Sequence, residues 1–110
     1  MSEESLDRTL LALADPHRRR VVDLLCERPR RAGELAEATR LAFPAMSRHL
    51  RALRESGLVE EDRHESDSRV RIYRLRQEPM TELKEWLEQT EKMWARQLNA
   101  FKAHLQKTRK

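Results

Sequence analysis

The sequence holds one cysteine, Cys26, and two glycines, Gly33 and Gly57, among its 110 residues. A lone cysteine closes no internal disulfide, and with four scattered histidines it offers little material for a metal site. Two glycines leave no phosphate-cradling loop, and no nucleophile stands beside an evident base, so neither an enzymatic reaction nor a cofactor is expected. No run approaches the roughly eighteen apolar residues that span a bilayer, which argues against membrane insertion. The opening segment MSEESLDRTL has neither a basic nor an apolar leader, so a cytoplasmic protein is the expectation. The length suits one small domain, residues 1–110, too short for a cleft between two lobes.

Charge is what the sequence has in excess: 38% of residues are Asp, Glu, Lys or Arg, so much of the surface must be solvated or must meet a charged partner. The formal net charge is only +4, yet its distribution is uneven. From Phe43 to Arg54, Arg48, Arg51 and Arg54 accompany His49 with no acid, and from Arg69 to Arg76 four arginines alternate with Val70, Ile72 and Tyr73. Arginine supplies 18 of the 23 basic residues, and its planar fork suits phosphates and guanine edges, although a GC-rich genome gives the same bias.

The spacing of apolar residues predicts five helices. Leu6, Leu10, Leu11 and Leu13 form a short one ending near Ala14, because Asp15-Pro16 follows. Asp15 caps a second, about 17–27, with Val21, Val22, Leu24 and Leu25 inward. The third runs over about 32–39 with Leu35 and Ala36 inward, and the fourth over about 44–56, closed by Gly57 as a left-handed cap with Leu58 behind it. Strands are expected near 59–63 and 69–75, forming a β-hairpin across the polar stretch 64–68. The fifth helix, about 79–107, lacks glycine and is too long for the core of its own domain. Its apolar positions Met80, Leu83, Leu87, Trp94, Leu98, Phe101 and Leu105 recur at threes and fours. A second subunit is the simplest cover for that stripe; the alternative is that Trp86 and Leu87 pack internally while the end frays.

Two short helices, a tight turn and a hairpin follow the winged helix-turn-helix order, mainly α with a β-hairpin wing, in which the second helix of the pair enters the DNA major groove. With Met46 set at 0° and about 100° per residue, Leu50 falls near 40° and Leu53 near 340°, while Pro44, Ser47, Arg48, Arg51 and Glu55 fall between about 100° and 200°. One face is core and the other is Ser/Arg, a pattern that fits groove reading and also fits an ordinary solvated face. His49, near the edge of the apolar stripe at about 300°, reads as a packing or phosphate-contacting residue.

The blocks ALADPHRRRVVDLL, GELAEATRLAFPAMSRHLRALRESGLVE and SRVRIYRL resemble, in unbroken order from Leu6 to Leu75, those of ArsR/SmtB-type winged-helix repressors. The later Pro79, Leu83, Trp86 and Leu87 with Trp94 are similar to the C-terminal helix of a metal-free subgroup. The resemblance implies a homodimer joined through its first and last helices, with two recognition helices in successive major grooves of an inverted repeat in double-stranded DNA. It places Ser47, Arg48 and Arg51 on bases, and Arg69 and Arg71 on a wing that reaches phosphate or minor groove. The full candidate DNA set is Phe43, Pro44, Ser47, Arg48, His49, Arg51, Arg54, Arg69 and Arg71. The candidate dimer set is Leu6, Leu10, Leu87, Trp94, Leu98, Phe101 and Leu105.

The departures from the family pattern bear on control. Where many members carry a metal-binding Cys-x-Cys, this chain has Arg31 and Gly33, and its final helix offers only His104, so no metal is expected. Arg31 and Ala42 stand where Ser or Thr would cap the third and fourth helices, and the wing tip HESDSR lacks the family's glycine. Arg18, Arg19 and Arg20 crowd a helix start, where the dipole disfavours them; an Arg19 to Asp23 pair with contacts to Asp7 or Asp15 is one compensation and DNA phosphate the other. Cys26 is expected to be a small buried hydrophobe, against the alternative of a redox sensor. The reading is a DNA-binding regulator acting as a repressor with an unknown effector; the alternatives are a protein-interaction winged helix and a metal- or redox-responsive repressor.

Overall fold

The computed structural model describes residues 3–63 and 69–108. Its elements run α1 (Glu3–Ala12), α2 (Pro16–Glu27), β1 (Arg30–Arg31), α3 (Ala32–Thr39), α4 (Phe43–Glu55), β2 (Val59–Arg63), β3 (Arg71–Leu75) and α5 (Gln77–Thr108). Asp15 caps α2 as its sequence context requires: its carboxylate accepts from the backbone N–H of His17 at 2.8 Å and of Arg18 at 3.2 Å. Arg31 and Ala42 do occupy the N-cap positions of α3 and α4, and neither side chain makes a cap bond. Glu34 compensates in α3 by accepting from the Arg31 amide at 3.5 Å.

Both members of the helix-turn-helix end in the same way. Gly57 lies at φ 84°, with the Leu58 amide bonded to the Leu53 carbonyl at 3.1 Å and the Gly57 amide to Arg54 at 3.0 Å, a Schellman cap. After α3 the left-handed position is taken by Arg40 at φ 58°, with Leu41 bonded to Ala36 and Arg40 to Glu37. A non-glycine residue there carries a steric cost, so the turn into α4 is held against strain.

The sheet is antiparallel in the order β1-β3-β2. In β2–β3, Val59 faces Leu75 and Glu61 faces Tyr73. The two-residue β1 was not anticipated: Arg30 pairs with Tyr73 and Arg31 with Ile72, which fastens the base of the hairpin to the start of α3. The core lies between α2, α3, α4 and this sheet, and Val21, Leu35, Met46, Leu53 and Leu58 are fully buried in it.

Three local expectations change. Helix α1 stops at Ala12 and buries Thr9 and Ala12, leaving Leu10 and Leu11 exposed. Cys26 is exposed rather than buried, because it lies on the side of α2 turned away from Val21 and Leu25. The anticipated Arg19 to Asp23 pair gives way to bonds from Arg18 Nε to the Ala12 carbonyl at 2.7 Å and from Arg19 Nη1 to the Leu13 carbonyl at 2.7 Å. The crowded guanidiniums thus satisfy the orphan carbonyls at the end of α1, where the helix dipole favours positive charge.

Helix α5 touches the rest of the chain only at its start. Pro79 is buried, Met80 and Leu83 are half-buried, and Ser5 Oγ donates to Glu82 at 2.9 Å to join α1 to α5. Every described residue from Lys84 to Thr108 is exposed, Trp86 and Leu87 included, so those two do not pack internally. The length of 32 residues corresponds to about 48 Å.

Candidate nucleic-acid interface

The recognition face is built by the turn that starts α4. Leu41 packs against the core, Ala42 is extended, and Phe43-Pro44 opens the helix with proline where its missing N–H costs nothing. Met46, Leu50 and Leu53 then point inward at i, i+4 and i+7, and Ser47, Arg48 and Arg51 project outward with Phe43 and Pro44. The guanidiniums of Arg48 and Arg51 make no hydrogen bond or ion pair among the described residues. His49 is half-buried, its ring 5.6 Å from that of His17 at a 41° tilt, so it seats α4 against the start of α2.

Arg54 and Arg71 are placed differently. Both reach Glu61, at 2.9 Å and 3.4 Å, and Tyr73 donates its hydroxyl to the same carboxylate at 3.1 Å. Glu61 is only 11% exposed, so one shielded carboxylate joins the end of the recognition helix to both strands of the wing. Burial, followed by the adjacent negative charge, raises the Tyr73 phenol above its usual value, keeping it protonated as the donor. The sequence reading missed Glu61; its signal was an acid on the inward-facing phase of β2, opposite an aromatic on β3. On the outer face Arg74 spans Glu60 at 3.0 Å and Asp62 at 2.5 Å.

A groove of about 690 Å³ opens between the α3 start, the α4 start and the wing, lined by Arg31, Ala32, Gly33, Phe43, Ser47, Arg63, Arg69, Val70, Arg71 and Tyr73. Of the sequence-derived set it unites Phe43, Ser47, Arg69 and Arg71; Arg31 and Arg63 are new to it. A smaller adjoining hollow of about 410 Å³ brings together Pro44, Ser47, Arg48, Arg51, Arg54 and Arg71 with Tyr73. The expected wing tip, 64–68, lies outside the described residues.

Residues 15–61, from the α2 cap into β2, match the sequence model of the bacterial regulatory protein, arsR family. A crystal structure of an ArsR family transcriptional regulator, RHA00566, has a TM-score of 0.74 and 32% identity, covering 83% of this chain and 97% of its own. The chain belongs to the ArsR family. Its fold is accordingly that family's winged helix-turn-helix, and the relatives found are transcriptional regulators rather than enzymes. The HTH-type transcriptional regulator Rv2034 of Mycobacterium tuberculosis is 44% identical over 55 residues, 50% of this chain and 51% of its own. The chain thus matches about half the length of that curated relative. The solution structure of the homodimeric winged helix-turn-helix DNA-binding domain of Mb0332 from Mycobacterium bovis is 26% identical with a TM-score of 0.64, covering 84% of this chain and 88% of its own.

The candidate dimer residues divide by position. Leu6 is half-buried on α1, whereas Leu10, Leu87, Trp94, Leu98, Phe101 and Leu105 are exposed, joined by Leu11 and Met93, which the candidate set lacked. No helix among the described residues is long and apolar enough to cross a membrane.

Proposed function

We propose that this ArsR-family chain is a homodimeric repressor that occupies an inverted repeat in double-stranded DNA without a metal ion. The observation that carries the reading is the recognition helix itself: Ser47, Arg48 and Arg51 project together from a helix whose opposite side is locked into the core, and neither guanidinium is bonded to any described residue. Arginine spanning O6 and N7 of guanine discriminates bases by about 1–3 kcal/mol per bidentate pair. Ser47, Arg48 and Arg51 are assigned to base edges, Phe43, Pro44, Arg69 and Arg71 to the backbone, and His49 to positioning. Arg54 serves through Glu61.

The dimer is supported by the exposed stripe on α5. Leu87, Trp94 and Phe101 recur every seven residues, as do Leu98 and Leu105, the 3.5-residue period that keeps a seam facing a partner helix. Soluble monomers rarely leave such a stripe open to water, and the Mycobacterium bovis relative is homodimeric. The absence of a metal rests on residue type: Arg31 and Gly33 stand at the Cys-x-Cys positions, and neither is a ligand.

Binding of the purified chain to its own upstream region and to unrelated DNA of equal length, across a salt series with a footprint, tests the reading. A protected inverted repeat retained at salt that strips the unrelated DNA is expected. Equal, weak binding to every sequence in a random-sequence selection would remove the reading and favour the protein-interaction module. Release of the bound operator by stoichiometric zinc would overturn the metal-free part alone.

A further inference from the structure

Major and minor grooves are separated by a single sugar-phosphate strand. A recognition helix in one and a wing over the next must therefore straddle that strand, and whatever lies between helix and wing faces it. In this chain that space is the groove between the start of α4 and β3, and among the described residues its lining holds four arginines, Arg31, Arg63, Arg69 and Arg71, and no carboxylate. Arg31 and Arg63 make no side-chain bond to any described residue. In this they match Arg48 and Arg51 on the adjoining recognition face, whereas Arg28, Arg30, Arg54, Arg71, Arg74 and Arg76 have carboxylate partners. Phe43 adds an exposed ring to the same wall. Alternating guanidiniums and an apolar ring match the alternation of anionic phosphate and apolar deoxyribose along a DNA strand.

We infer that this groove is the seat of the operator's sugar-phosphate strand, with Arg31 and Arg63 as its phosphate ligands and Phe43 against a deoxyribose. The inference rests on the DNA-binding reading above and adds two contacts that lie on neither the recognition helix nor the wing tip. β1 makes the seat stiff: its pairing of Arg31 with Ile72 and of Arg30 with Tyr73 fixes the spacing between the α3 wall and the wing wall. The charge of Arg31 also explains its place at the α3 N-cap, where Ser or Thr would cap better.

The test uses the full chain and the tightest duplex from a random-sequence selection, comparing Arg31→Gln, Arg63→Gln and the wild type between about 50 and 200 mM salt. Each phosphate contact contributes about 0.9 to the salt slope, so each variant is expected to lose about 3.5-fold less affinity than wild type over that fourfold salt change, with its order of sequence preference intact. Replacing one flanking phosphate by an uncharged methylphosphonate is expected to weaken wild type but to add little to Arg63→Gln. Wild-type slopes in both variants, with the wild type still selecting one sequence, would overturn the groove and leave the repressor reading standing. A wild type without sequence selection would overturn both.

Discussion

Replacing Glu61 by Gln separates what its carboxylate does for the fold from what it does for DNA. The wild-type carboxylate collects Arg54, Arg71 and the Tyr73 hydroxyl, and is 11% exposed. Hydrogen bonds to a charged group contribute about 1.5–3 kcal/mol when shielded. The two guanidiniums, however, are about half exposed, and such pairs fall toward the surface range of about 0–1 kcal/mol. Glutamine keeps an acceptor for one donor, so a net loss of about 1–2 kcal/mol is expected in urea unfolding at fixed protomer concentration. DNA binding should move the other way on random sequence: Arg54, released from Glu61, can meet a phosphate that it does not reach in the wild type, steepening the salt slope by about 0.9. The ratio of best to random duplex should fall, because the wing is no longer tied to the helix that reads. Unchanged stability, or a destabilised variant whose slope and ratio both match wild type, would refute this account of Glu61.

Three further outcomes are expected. Arg51→Ala should cost about 1–3 kcal/mol on the selected duplex and relax preference at one base pair, read by competition with singly substituted duplexes; a uniform loss on all sequences would move Arg51 to the backbone set. Leu98→Glu on the exposed stripe should weaken the dimer at least about a hundredfold, since an apolar side chain is lost in both symmetry copies, and sedimentation should show monomer with helical content retained. For Asp15, partial burial opposes ionisation, but the amide bonds from Arg18 and His17 prevail and hold the carboxyl below its ordinary value. Its contribution is therefore present above about pH 4 and lost as pH falls through the lowered value. Asp15→Asn keeps a cap but cannot titrate, so the stability gap to wild type should close between about pH 5 and 2; a constant gap would contradict the sign.

What could be read from the sequence follows the range of the forces involved. Helix starts and stops at Asp15-Pro16 and Gly57, and the two faces of α4, are set by neighbours within a turn or two, and the structure places Met46, Leu50 and Leu53 inside as their spacing requires. The same arithmetic applied to α2 puts Cys26 about 120° from the centre of its buried face, so the expectation of burial there came from residue type overriding period. β1 was illegible because two residues carry no period; it exists only through Tyr73 and Ile72, some forty positions away. The Glu61 junction and the four-arginine groove were hidden for the same reason, since each needs the wing folded back beside α4. Arg18 and Arg19 were seen to need compensation, but the nearest sink is a set of carbonyls, which no side-chain pattern advertises.

Those carbonyls have a mechanical consequence. Arg18 and Arg19 grip the end of α1 across the Asp15 turn, and the next residue back, His17, abuts His49 on the recognition helix. In the proposed dimer, α1 lies at the two-fold axis, so the axis and the reading helix are joined by a chain of direct contacts with no flexible linker between them. Such a protein behaves as a caliper of fixed opening. It should tolerate base changes within a half-site far better than one inserted base pair between half-sites, which asks the jaws to open by about 3.4 Å and turn by a tenth of a helical revolution.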